Sequence, residues 1–63
     1  MMLLFTDAQT GNAVAVNPDH VVVLFTAKDE TTGDEKVVVN TLVGNVVVKE
    51  SYVEALGQLQ AAK

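Results

Sequence analysis

The sequence predicts a mostly β domain: five short antiparallel strands rolled into a small, strongly bent barrel, followed by a C-terminal helix. Three observations predict it. Valine dominates and falls in clusters, Val14/Val16, Val21-Val22-Val23, Val37-Val38-Val39 and Val46-Val47-Val48, and stiff β-branched side chains suit a pleated sheet better than a helix. Turn formers separate the clusters: Thr10-Gly11-Asn12, Asn17-Pro18-Asp19, a polar stretch from Lys28 to Glu35, and Gly44-Asn45. After the last cluster, Ser51-Tyr52-Val53-Glu54 has the Ser-x-x-Glu spacing of a helix capping box.

The strands fall at about 2–6, 13–17, 20–27, 36–43 and 46–50, and the helix at about 52–62. If Gly44-Asn45 is a two-residue turn, Val43 faces Val46, Thr41 faces Val48 and Asn40 faces Lys49. One face of that hairpin then carries Val37, Val39, Thr41, Val43, Val46 and Val48, which we assign to the core. The other mixes Lys36, Asn40 and Lys49 with Val38, Leu42 and Val47, and those three apolar residues mark a subunit interface. The third strand is apolar on both sides, with His20, Val22, Leu24 and Thr26 on one and Val21, Val23, Phe25 and Ala27 on the other. A strand of that kind is covered on both sides. In the helix, Val53, Leu56, Leu59 and Gln60 recur at helical spacing, and Lys63 stands where a helix end favours a cation.

The chain has 63 residues, 49% of them hydrophobic, with four lysines, no arginine and a formal charge of −4. It is too apolar for a disordered tail and too acidic for a general DNA-coating protein. It has no cysteine and a single histidine, so no disulfide frame is available and neither a structural metal nor a cofactor is expected. A domain this short buries only about 60% of the surface its unfolded chain exposes. With a positive mean hydropathy of +0.30, the expectation is a cyclic homo-oligomer. The start, Met1-Met2-Leu3-Leu4-Phe5, lacks the basic segment and the length of a signal peptide, and no apolar run spans a bilayer; a cytoplasmic setting is expected.

An enzyme is not expected. Ser51 is the only serine and already caps the helix, and no nucleophile–base–orienter set can be built around His20. Asp29-Glu30-Thr31-Thr32-Gly33-Asp34-Glu35 lacks the alternating ligand spacing of an EF-hand and is better explained as a solvated loop.

The strand order, the long polar loop between the third and fourth strands and the Gly44-Asn45 step resemble the Sm-like family of small bent barrels, which includes the LSm and Hfq-type proteins and is SH3-like in architecture. Leu42-Val43-Gly44-Asn45-Val46-Val47-Val48 is similar to that family's second signature, with Val43 where the family has Arg. The resemblance implies a ring closed by pairing the fourth strand of one subunit with the fifth of the next. It also implies RNA contacts from two loops: Asn17, Asp19 and His20 in one, Gly44 and Asn45 in the other, with Lys49 as a phosphate contact. Asn17-Pro18-Asp19-His20-Val21-Val22 and Val47-Val48-Lys49-Glu50-Ser51 also resemble the small flagellar-operon FlbD family and short β-rich bacteriophage proteins. That likeness bears on the fold, a strand-rich body with a closing helix. Acidic charge and an unpaired sheet edge suit protein partners, and so a phage assembly factor or a protein that binds a host protein, with no nucleic-acid role. The negative charge opposes RNA binding, because a ring multiplies it.

Overall fold

The computed structural model describes residues 2–62; Met1 and the helix-end cation expected at Lys63 lie outside them. Its elements are β1 (Leu3–Thr6), β2 (Ala13–Val16), one 3-10 turn (Pro18–His20), β3 (Val21–Lys28), β4 (Glu35–Thr41), β5 (Gly44–Val48) and α1 (Tyr52–Ala61). β1 and β2 form one antiparallel sheet, and β3-β4-β5 form a second. The fold is therefore mostly β with a closing helix, but the sheets do not close on themselves.

The two sheets are stitched at one place. An isolated antiparallel bridge joins Asp7 to Val48. The Lys49 N–H donates to the Thr6 carbonyl at 2.8 Å, and the Ala8 N–H to the Val47 carbonyl at 3.0 Å. Glu50 fastens the same corner, accepting from the Thr6 N–H at 2.9 Å and from the Thr6 hydroxyl at 3.0 Å. Burial pushes the Glu50 carboxyl pKa up, but the bonds from the Thr6 N–H, its own N–H and the Thr6 hydroxyl outweigh it, and the net shift is downward.

Between the sheets lie Leu3, Phe5, Val16, Val39 and Val48, closed over by Ala55 and Leu59 of α1. The capping box at the head of α1 is formed: Ser51 Oγ accepts from the Glu54 N–H at 3.2 Å, and Glu54 Oε1 accepts from the Ser51 N–H at 3.3 Å. The buried stripe is Ala55 and Leu59 with Ala62 half-buried, at i, i+4 and i+7, whereas Val53 is exposed.

The last hairpin differs from the expected register. Thr41 faces Gly44, Asn40 faces Asn45, and Val37, Val38 and Val39 face Val48, Val47 and Val46. The loop is Leu42-Val43, so Gly44 and Asn45 begin β5, and Lys49 follows it rather than facing Asn40. A slip of one residue would exchange the two faces of a strand. The turn lies two residues earlier than expected and each partner changes by four, an even number, so Val37, Val39, Val46 and Val48 keep their face and alternation cannot distinguish the two registers. Val43, however, expected in the core, falls in the turn and is 93% exposed. The observed one aligns the two valine triplets directly, favouring β-branched cross-strand pairs. The Thr41 hydroxyl closes the turn, donating to the Gly44 carbonyl at 2.8 Å, and Gly44 supplies a φ of 140° that few other residues adopt.

β3 also departs from simple alternation. The pairing jumps from Val21↔Thr41 to Val23↔Asn40, so Val22 is the extra residue of a bulge. The bulge brings Val21 onto the core side with Leu24 and leaves Val22 exposed, reversing their expected faces.

Candidate functional site

The 3-10 turn is set by its first residues. Asn17 caps it, its side-chain oxygen accepting from the Asp19 N–H at 3.0 Å, and Pro18 opens it with a preset φ. His20 closes this turn instead of starting a strand, and it is exposed. The His20 carbonyl accepts from the Leu42 N–H at 3.0 Å, which places the 3-10 turn beside the β4–β5 turn. Asn17 and His20 there share an apolar depression of about 310 Å³ with Val14, Thr41, Val43 and Val46.

The two loops expected to act together therefore meet at one end of the molecule. Asp19 is exposed on the same turn, and Gly44 follows Val43. Asn45 is held differently, accepting a hydrogen bond from the Asn40 amide across the hairpin. Lys49 lies beyond the far end of β5, lining a separate cleft with Asp29, Asp34, Glu35 and Lys36. The expected phosphate contact is thus set apart from the loops it was to serve.

The acidic loop is organised by its own bonds. Asp29 Oδ1 accepts from the Thr31 N–H at 2.8 Å, and Lys36 Nζ lies 3.8 Å from Asp29 Oδ2. Asp29 has a lowered pKa: the Thr31 backbone bond is the largest cause, and Lys36 adds to it.

The three expected interface residues separate. Val38 and Val47 are cross-strand partners on the outer face of the three-stranded sheet, alongside Phe25 and Val23 from β3. Val38 is only 6% exposed although it stands outside the core cluster. Leu42 leaves this face, because it sits in the β4–β5 turn, where it is 70% exposed. Sequence reasoning missed a third surface. Pro18 and the β3 residues Val21, Val22, Val23 and Leu24 line a groove of about 290 Å³ with Leu56, Leu59 and Gln60 of α1. The bulge that shapes it leaves no trace in hydrophobic alternation.

No family model matches the chain, and no similar curated protein or solved structure was found.

Proposed function

We propose that this chain is a non-catalytic, self-assembling interaction module that recognises protein surfaces, such as a phage assembly factor or a protein that binds a host protein. The observation that carries the reading is the outer face of β3-β4-β5. Val23 and Phe25 are 47% and 37% exposed there, beside Val38 and Val47, and none of the four belongs to the core cluster of the described residues. Apolar residues on both faces of one sheet call for cover on both faces. We further read the two sheets as halves of a strongly bent Sm-like or SH3-like barrel. The bridge between Asp7 and Val48 supports this, because it gives the continuous strand order β2-β1-β5-β4-β3.

A second reading, an RNA-binding ring, is favoured by one observation: Asn17 and His20 converge with Thr41 and Val43 on one depression. The remote Lys49 and the charge of −4 weigh against it. A ring closed through β4 also needs a free β4 edge, and β4 here is paired on one side with β3 and on the other with β5.

Light scattering during gel filtration, with absorbance at 260 and 280 nm, separates the two. The interaction module runs as an oligomer free of nucleic acid, and Val47→Asp lowers its mass by placing a charge on the outer face. A 260 nm excess that disappears in salt supports the RNA reading instead. A monomer, or an oligomer untouched by Val47→Asp, defeats the proposed use of this face.

A further inference from the structure

We propose that two copies pair antiparallel through the free edge of β3, about a twofold axis at Phe25, fusing their three-stranded sheets into one. The inference rests on the self-assembly reading above and names its contact. β3 is the longest strand, and among the described residues it pairs only with β4.

The backbone shows which groups the edge offers. A two-residue hairpin loop makes Thr41↔Gly44 a hydrogen-bonded pair. Alternation then turns Val37 and Val39 toward β5, and Lys36, Val38 and Asn40 toward β3. Their β3 partners are Ala27, Phe25 and Val23. Leu24, Thr26 and Lys28 therefore direct their N–H and C=O groups away from β4, an unpaired row that accepts another strand.

The side chains fix the geometry. A twofold axis perpendicular to the sheet keeps each residue on its own face, so a residue can meet only its own copy or one an even number of positions away. The bulge at Val22 leaves Val23–Lys28 as the regular segment. With the axis at Phe25, each Leu24 exchanges backbone bonds with Thr26 of the second copy, and Val23 faces Ala27. The two Phe25 rings meet in a non-hydrogen-bonded pair, where side chains approach most closely. Val23 and Phe25 of both copies then extend the outer apolar face without a break.

Charge favours a second copy. The only charged residue of β3 is Lys28, at its last position. Antiparallel pairing carries it toward the start of the second copy's strand, where the exposed Asp19 stands. Asp29, next in the chain, is held within its own loop by Thr31 and Lys36. The surface also has area to give: it measures 4288 Å², against roughly 3,900 Å² for a folded monomer of this mass.

The test is Thr26→Pro, examined by sedimentation equilibrium, with amide exchange of the unmodified chain followed by NMR. Proline is tolerated at an edge position whose N–H points away from the sheet. It removes one edge bond per copy, so the pairing constant should weaken about thirtyfold or more and the mass should halve while circular dichroism stays native. In the unmodified chain, the Leu24 and Thr26 amides should be protected at high concentration and exchange quickly on dilution. A folded Thr26→Pro chain of unchanged mass overturns the edge pairing. Fast exchange of those two amides within an intact oligomer also overturns it, leaving self-assembly through the outer face standing. A monomeric unmodified chain overturns both. If Thr26→Pro fails to fold, the amide exchange decides alone.

Discussion

Val38 and Val39 are neighbours on the central strand, both buried, at 6% and 0% exposure, yet they are buried in different ways. Val39 points between the sheets, into the cluster that Phe5, Ala55 and Leu59 complete. Val38 points outward and is flanked by its cross-strand partners Phe25 and Val47. One residue belongs to the core cluster between the sheets; the other is buried outside that cluster, beside its cross-strand partners. A central strand can thus hide side chains on both of its faces while only one face joins the common core. Low exposure alone does not distinguish a finished core from a contact face; what packs above the side chain does.

The most severe way to break this contrast is to empty the enclosed side. Phe5 is among the largest fully buried side chains, and its truncation to alanine should cost about 3–5 kcal/mol. A domain of this size has only about 3–9 kcal/mol in total. Phe5→Ala should therefore abolish or nearly abolish cooperative unfolding in urea at 25 °C. The contrast is sharpened by Val39→Ala beside Val38→Ala. Val39→Ala removes two buried methyl-sized groups and should cost about 2 kcal/mol, whatever the protein concentration. Val38→Ala should cost less in dilute protein, and its cost should grow with concentration as the outer face becomes covered. Equal, concentration-independent losses would show that the two faces are equally finished.

The same contrast explains how much was legible in the sequence. The valine clusters, the turn formers and the Ser51–Glu54 spacing place all five strands and the helix to within about two residues. The core face of the hairpin strands is legible because alternation is indifferent to a slip by an even number of residues, here four. The turn is not, for the same reason: Gly44-Asn45 carries the residues a tight turn wants, but alignment of the two valine triplets outweighs them. The bulge at Val22 is hidden inside Val21-Val22-Val23, where three identical side chains conceal which one is extra. Of the candidate site, the meeting of the Asn17–His20 and β4–β5 turns follows from strand order. The isolation of Lys49 does not, because it depends on where β5 ends. The Thr6–Glu50 link is non-local, and no spacing within either segment announces it.

That link holds the corner where the enclosed side is stitched together. Glu50→Ala leaves the half-buried Thr6 N–H without its acceptor and should cost about 1–3 kcal/mol at pH 7. The native carboxyl has a pKa below the ordinary glutamate value of 4.5, so the folded state binds its proton less readily than the unfolded chain. Its stabilisation is complete above that ordinary value and declines as pH falls through the lowered one. Urea titrations should find the gap between the two proteins constant from pH 7 to about pH 5, then narrowing as acid is added. A gap that persists undiminished at pH 2 would mean that Glu50 acts through packing and not through its charge.

The smallest effect expected is at the lid of the enclosed side. A ten-residue helix is marginal in water on its own, so α1 depends on its cap and on the two residues it buries, Ala55 and Leu59. Ser51→Ala removes the acceptor for the Glu54 N–H and should cost about 1 kcal/mol, whereas Ser51→Asp keeps an acceptor at the N-cap and should cost far less. Because the residues that α1 buries, Ala55 and Leu59, lie in the inner core cluster, Ser51→Ala should lower the urea midpoint and raise amide exchange at Val39 while leaving the oligomer mass unchanged. A change in mass with little loss of stability would instead place α1 at the contact between copies, and the helix would then belong to the unfinished side of the molecule.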